Sequence, residues 1–188
     1  MTLTRQALGR LAAIALLGGI LQLAAVSQTA VFGVPADLAP LMAAFVGLLC
    51  GSLVGAGFGF AVGLLIDVAL LQTLGVTSLV LTGVGYAAGR LRELRDPAHG
   101  LVPLAVGAAA TAVAAVAVSL IHFLLGVEAP VSLLLLRQTL LSIVFNTLLA
   151  LPLYALVRRI MEPCLPDDPR RRRRRAYTTG GLSPISRA

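Results

Sequence analysis

The sequence predicts an all-α integral membrane protein: a bundle of about six transmembrane helices with both termini in the cytoplasm. Three observations lead there. Hydrophobic residues make up 58% of the 188 and charged residues only 12%, at a mean hydropathy of +0.94, more apolar surface than a soluble domain of this size can hide. The apolar residues fall into six segments with no alternating strand pattern, and inside lipid such segments satisfy their own backbone only as helices. Arginine, which supplies all fifteen basic residues, gathers before the first segment, after the fourth and after the sixth, one side of a six-span chain.

Taken in order, Arg5 and Arg10 precede the first segment, Leu11–Phe32. At about 22 residues it is long for a signal-peptide core and right for a span. Although Ala25 and Ser27 imitate a cleavage site, it reads as an uncleaved first helix. The next three segments, Leu38–Val54, Ala56–Leu71 and Gly75–Gly89, are short against the roughly 20 residues of a perpendicular span. Gly47, Gly51, Gly55, Gly59 and Gly63 recur every fourth residue through them. On continuous helix that row is a ridge of small residues that lets another helix approach closely, and a turn near 51–55 would divide it into two faces meeting at a hairpin. The last two segments, Leu101–Val127 and Val131–Val157, are long enough that they must tilt or protrude.

Charge fixes the expected topology. Arg90, Arg92 and Arg95 follow the fourth segment, and Arg158, Arg159 and an arginine run follow the sixth. With six spans these all fall on the side of Arg5 and Arg10, which is then the cytoplasm. The opposite loops carry Asp37 and Glu128 and no arginine. A five-span alternative would fuse 38–66 into one helix and strand Arg5 and Arg10 outside, so six spans fit better. Residues 1–160 are the expected bundle and 161–188 a disordered, Arg-rich cytoplasmic tail, because Pro163, Pro166, Pro169 and Gly180-Gly181 bury no core. Much of the net charge of +7 comes from Arg170, Arg171, Arg172, Arg173, Arg174 and Arg175. Beyond the last apolar segment, that run reads as a stop signal with affinity for anionic membrane lipid, not as a nucleic-acid surface.

Few residues could carry chemistry. Asp67 is the single acid of a charge-free run near the outer end of the third segment, where a lone carboxylate is costly. Arg137 lies at similar depth on the sixth segment, which makes Asp67–Arg137 a candidate intramembrane ion pair. Snorkelling of both groups to the interface and contact with a partner protein are the other readings. Gln28, Gln72, His122 and Gln138 share that level as a candidate outer polar cluster, with Gln22 and Asn146 nearer mid-depth. No nucleophile elbow, zinc-protease motif or phosphate-binding loop is present, and one isolated Asp supplies no paired acid and base. Cys50 and Cys164 form neither a disulfide framework nor a zinc site. No enzyme, metal or cofactor is therefore expected. A stand-alone transporter would want a relay of acids or aromatics to enclose a substrate, and the chain has six Phe, three Tyr and no Trp.

One string stands out: Gly59-Phe60-x-x-Gly63-x-x-x-Asp67, then Leu74-Gly75, then Tyr86. Together with the length, the span count, Pro35 before the second span and Pro152-Leu153-Tyr154 late in the last, it resembles the MreD family of bacterial rod shape-determining membrane proteins. The resemblance covers residues 1–160 and leaves out the arginine tail. It implies a non-enzymatic scaffold of the cell-elongation machinery in the plasma (inner) membrane, helping to maintain cell shape and lateral-wall peptidoglycan synthesis. The partners it implies are an MreC-like bitopic protein, the elongation transpeptidase and transglycosylase, and the MreB cytoskeleton. A likeness in fold between that family and the substrate-binding components of ECF-type vitamin transporters makes such a component the alternative. That alternative needs an outward small-molecule pocket, which scarce aromatics and a single acid do not favour.

Overall fold

The structure, a computed structural model, describes residues 5–32, 37–94, 102–126 and 133–162. Six helices carry them: α1 (Arg5–Phe32), α2 (Ala39–Cys50), α3 (Ser52–Ala69), α4 (Val76–Leu94), α5 (Val102–Leu124) and α6 (Leu133–Met161). Among the described residues, three stretches are long and apolar enough to cross a membrane: Ser52–Ala69, Val102–Leu124 and Thr139–Met161. The expected tail, with Arg170–Arg175, lies outside the described residues.

The helices follow the order of the expected segments, with several boundaries moved. The break between the second and third falls at Gly51, whose φ of 99° is a backbone state open to glycine and strained for other residues. The fused 38–66 helix of a five-span chain therefore does not form, and α2 ends at Cys50 instead of running on to Val54. At the other limit, α4 and α6 continue past the apolar stretches into their arginines, since Arg and Leu are good helix formers.

The centre of the bundle is α2. All its residues from Ala39 to Leu49 are buried, which is the place for a helix that is apolar on every side. It touches each of the other five helices, and the edge of one ring meets the face of the other where Phe45 packs on Tyr154, 5.4 Å between centroids at 75°. Twelve residues rise only about 18 Å, against roughly 30 Å of hydrocarbon, so α2 reaches part of the way across.

The closest packing joins α3 to α4, with α2 beside them. A Cβ on Gly59 would stand 2.2 Å from the Leu81 carbonyl oxygen, and one on Gly63 2.4 Å from Ser78 Cα. At Gly55 it would meet Gly47 Cα and the Gly85 oxygen, both at 2.5 Å. Backbone thus lies on backbone, and the glycine row splits as a hairpin requires: Gly47 on α2, then Gly55, Gly59 and Gly63 on α3. On α4, Val80, Val84 and Ala88 pack with Val106, Ala110 and Ala114 of α5. α6 lies against α5 and α2, while α1 rests on α3, α2 and α6.

Candidate functional site

The motif string folds into the α3–α4 hairpin, and its acid is accommodated there. Asp67 is fully buried. Its Oδ2 accepts the Gly75 amide at 2.8 Å and the Ser78 amide at 3.4 Å, donors that the first turn of α4 leaves without intrahelical partners. The carboxylate thereby caps a neighbouring helix from the end of α3, at the positive pole of the α4 dipole. Around it, the Gln72 amide donates to the Asp67 carbonyl at 3.0 Å and Ser78 Oγ donates to the Phe60 carbonyl at 3.0 Å. The turn brings Leu71 to φ 53°, an unusual state for a branched residue.

This geometry corrects the expected ion pair. Arg137 is exposed on α6, and among the described residues no salt bridge joins it to Asp67. The reason is local. Amides eight and eleven residues along the chain reach the carboxylate first, and the glycine face presses that side of α3 against α4. Asp67 Oδ1 has no hydrogen-bond partner among the described residues.

A reciprocal cap closes the other end of the hairpin. Glu93, from the last turn of α4, accepts the Ser52 hydroxyl at 2.7 Å and the Ser52 amide at 3.3 Å, so an acid of α4 serves the N-terminus of α3. Those two hydrogen bonds, and then Arg90 at 3.1 Å, hold the Glu93 carboxyl below its ordinary value. Glu93 lies four residues past Gly89, beyond the apolar segment. Beside it Arg92 donates to the Leu49 carbonyl at the end of α2, and Arg10 of α1 donates to the Ile160 carbonyl of α6 at 2.9 Å. Read from the sequence, these arginines mark topology alone. The available signal was Arg90-x-x-Glu93 at helical spacing, with Ser52 directly after the breaking glycine.

A third cluster joins residues distant in the chain. The Leu38 amide donates to Gln22 Oε1 at 2.7 Å, Gln22 Nε2 to Asp37 Oδ1 at 3.0 Å, and Asn146 Nδ2 to the Asp37 carbonyl at 2.8 Å. Gln22 stands about 15 Å along α1 from Phe32, and Asn146 about 20 Å along α6 from Leu133. Asp37, expected in an outer loop, therefore meets the middle of both helices, and α2 starts inside the bundle. Polar partners inside a membrane protein are what such a start requires. Of the expected outer polar cluster, Gln72 is exposed in the α3–α4 turn and His122 is half-buried in the last turn of α5. The side chains of Gln28 and Gln138 lie outside the described residues.

With this geometry in hand, the comparison with known families is decisive: the model for the rod shape-determining protein MreD matches residues 6–160. The chain belongs to the MreD family. Neither the curated proteins nor the solved structures give a match. MreD proteins are rod shape-determining membrane proteins and not a family of enzymes, and the matched stretch runs from the first turn of α1 to the last turn of α6. Its MreD-like string divides into two sets. Gly59, Gly63, Asp67 and Gly75 are spent on building the hairpin. Phe60, Leu74 and Tyr86 face outward, 55%, 68% and 46% exposed, and so do not belong to the core of this MreD chain.

Proposed function

We propose that this MreD protein is a non-enzymatic scaffold of the cell-elongation machinery in the bacterial plasma membrane. In this reading both termini and the tail 161–188 are cytoplasmic, on the side of Arg10, Arg90, Arg92, Arg158 and Arg159. The outward face of the α3–α4 hairpin seats the membrane helix of an MreC-like bitopic protein, and through it the chain supports the lateral-wall transpeptidase and transglycosylase and the MreB cytoskeleton. One observation carries the reading: Phe60, Leu74 and Tyr86 are outward on the hairpin whose helices meet backbone to backbone. Aromatic anchors on a backbone-to-backbone hairpin offer a fixed shape to a partner helix. The bundle centre is filled by the buried helix α2 and not by a small-molecule pocket, which weighs for the scaffold.

The test is complementation in cells depleted of the native copy. Phe60→Ala with Tyr86→Ala should accumulate in the membrane as wild type does, fail to restore cell width, and no longer co-purify with MreC. Normal shape together with normal MreC recovery would contradict the docking face.

A further inference from the structure

The α3–α4 hairpin is shorter than the membrane around it. Glu93 binds Ser52 and Arg92 binds the Leu49 carbonyl, which fixes one polar end for α2, α3 and α4 together. From there α3 runs 18 residues to Ala69, about 27 Å, and the uncharged part of α4, from Val76 to Gly89, covers only about 21 Å. The hydrocarbon is roughly 30 Å thick. Elsewhere in the bundle α5 has 23 residues and α6 has 29, enough for about 35 and 44 Å. The bundle is therefore short along the hairpin, and any tilt shortens it further.

The turn at the Asp67 end is built for lipid. Leu71 and Leu74 are 92% and 68% exposed there, and Leu70-Leu71-Gln72-Thr73-Leu74-Gly75 contains no Lys, Arg, Tyr or Trp to reach up to the headgroups. Its main chain closes on itself. The amides of Leu70, Leu71 and Val76 donate to the carbonyls of Ile66, Val68 and Thr73, and that of Gln72 to the Asp67 carbonyl. Those of Gly75 and Ser78 donate to the Asp67 carboxylate. At a wetted tip water serves such donors, but in hydrocarbon only protein can. Asp67 alone takes Gln72, Gly75 and Ser78, and so lets the turn end below the membrane surface.

A short apolar surface thins the bilayer, reaches out with flanking side chains or associates with another short surface. This turn has no side chains for the second course. We infer that the docking face of the hairpin selects a membrane helix with a short apolar stretch, about 14–18 residues, over one that spans an undistorted bilayer. The inference rests on the docking face proposed above and adds the length of its occupant. A short helix is mismatched in bulk lipid and gains by moving to the thinned bilayer beside the hairpin. A helix of about 20 apolar residues or more must tilt out of the groove there.

The chain has no tryptophan, so Leu91→Trp, at an exposed position of α4 beside Arg92, supplies a single fluorescent donor. The full chain carrying it is reconstituted in dioleoylphosphatidylcholine vesicles with the synthetic membrane helix of the MreC-like protein, dansylated at the end that lies beside Arg92. Leucine–alanine pairs added or removed at the far end set its apolar stretch to about 14, 17, 20 or 23 residues. We expect half-maximal energy transfer at a roughly tenfold lower peptide-to-lipid ratio for the 17-residue helix than for the 23-residue one. The gap should widen in thicker dierucoylphosphatidylcholine and narrow in thinner dimyristoleoylphosphatidylcholine. Equal ratios at all lengths, or tightest binding by the longest helix, would overturn the length selection and leave the docking face standing. A gap that ignored bilayer thickness would also overturn it, since mismatch is its cause. Transfer at no length would contradict the docking face itself, and the selection with it.

Discussion

A single methyl group tests the claim that α3 and α4 meet backbone to backbone. In Gly59→Ala the new carbon would stand 2.2 Å from the Leu81 carbonyl oxygen and 2.6 Å from its carbonyl carbon. Carbon contacts settle near 3.5–4.0 Å, so the helices must separate by roughly 1 Å. The obstructing atoms are backbone, so no side chain can turn aside to relieve the contact, and overpacking of this kind costs about 1–3 kcal/mol. Alanine returns about 1 kcal/mol of helix propensity over glycine, which leaves a net loss near 2 kcal/mol at the upper end of that range. Gly83→Ala, on the open side of α4 with nothing within 4 Å of its Cβ, receives the propensity without the clash and should gain up to about 1 kcal/mol. The assay is unfolding in mild-detergent micelles titrated with a denaturing detergent and followed by far-ultraviolet circular dichroism. The two variants should move the midpoint in opposite directions. A Gly59→Ala protein as stable as Gly83→Ala would refute the packing argument.

Three more outcomes follow from the polar contacts. Asp67→Ala strips the Gly75 and Ser78 amides of their acceptor and should destabilise by about 1–3 kcal/mol. Asp67→Asn keeps an acceptor oxygen and should lose less, and Arg137→Gln should leave the midpoint in place; an equal loss in Arg137→Gln and Asp67→Ala would restore the ion pair. Gln22→Ala orphans the buried Leu38 amide and takes one donor from Asp37 Oδ1, for a similar loss of about 1–3 kcal/mol in the same titration. Glu93 carries a pH dependence. Its folded value lies below the ordinary 4.5, so the unfolded chain binds the proton first, and its stabilisation is whole above 4.5 and drains as pH falls through the folded value. Glu93→Gln should flatten the acid limb of the stability profile, and an unchanged limb would remove Glu93 from the account.

Hydropathy and glycine spacing made most of the fold legible. A hydrophobic run marks a helix wherever it packs, and a four-residue glycine period marks a face wherever its partner lies. The hairpin break was narrowed to 51–55, and the structure puts it at Gly51, because only there does the backbone need a positive φ. The site was less legible. Asp67 is an anomaly in the sequence, where opposite charge points to Arg137, but the groups that satisfy it are main-chain amides, which any sequence contains. Asp37 was misplaced for a related reason: its partners Gln22 and Asn146 sit in other helices, the latter more than a hundred residues away. Arg92 and Glu93 act through the Leu49 carbonyl and through Ser52, contacts that exist only once the hairpins have closed.

The central claim is that the chain belongs to a wall-elongation assembly through a helix-docking face, and isolation of the tagged protein from its native membrane in mild detergent tests it most directly. Mass spectrometry of the co-purifying proteins should recover an MreC-like bitopic protein with the elongation transpeptidase, and lose them in the Phe60→Ala, Tyr86→Ala double variant. Recovery of paired ATPases with a coupling membrane protein, and no MreC, would contradict it.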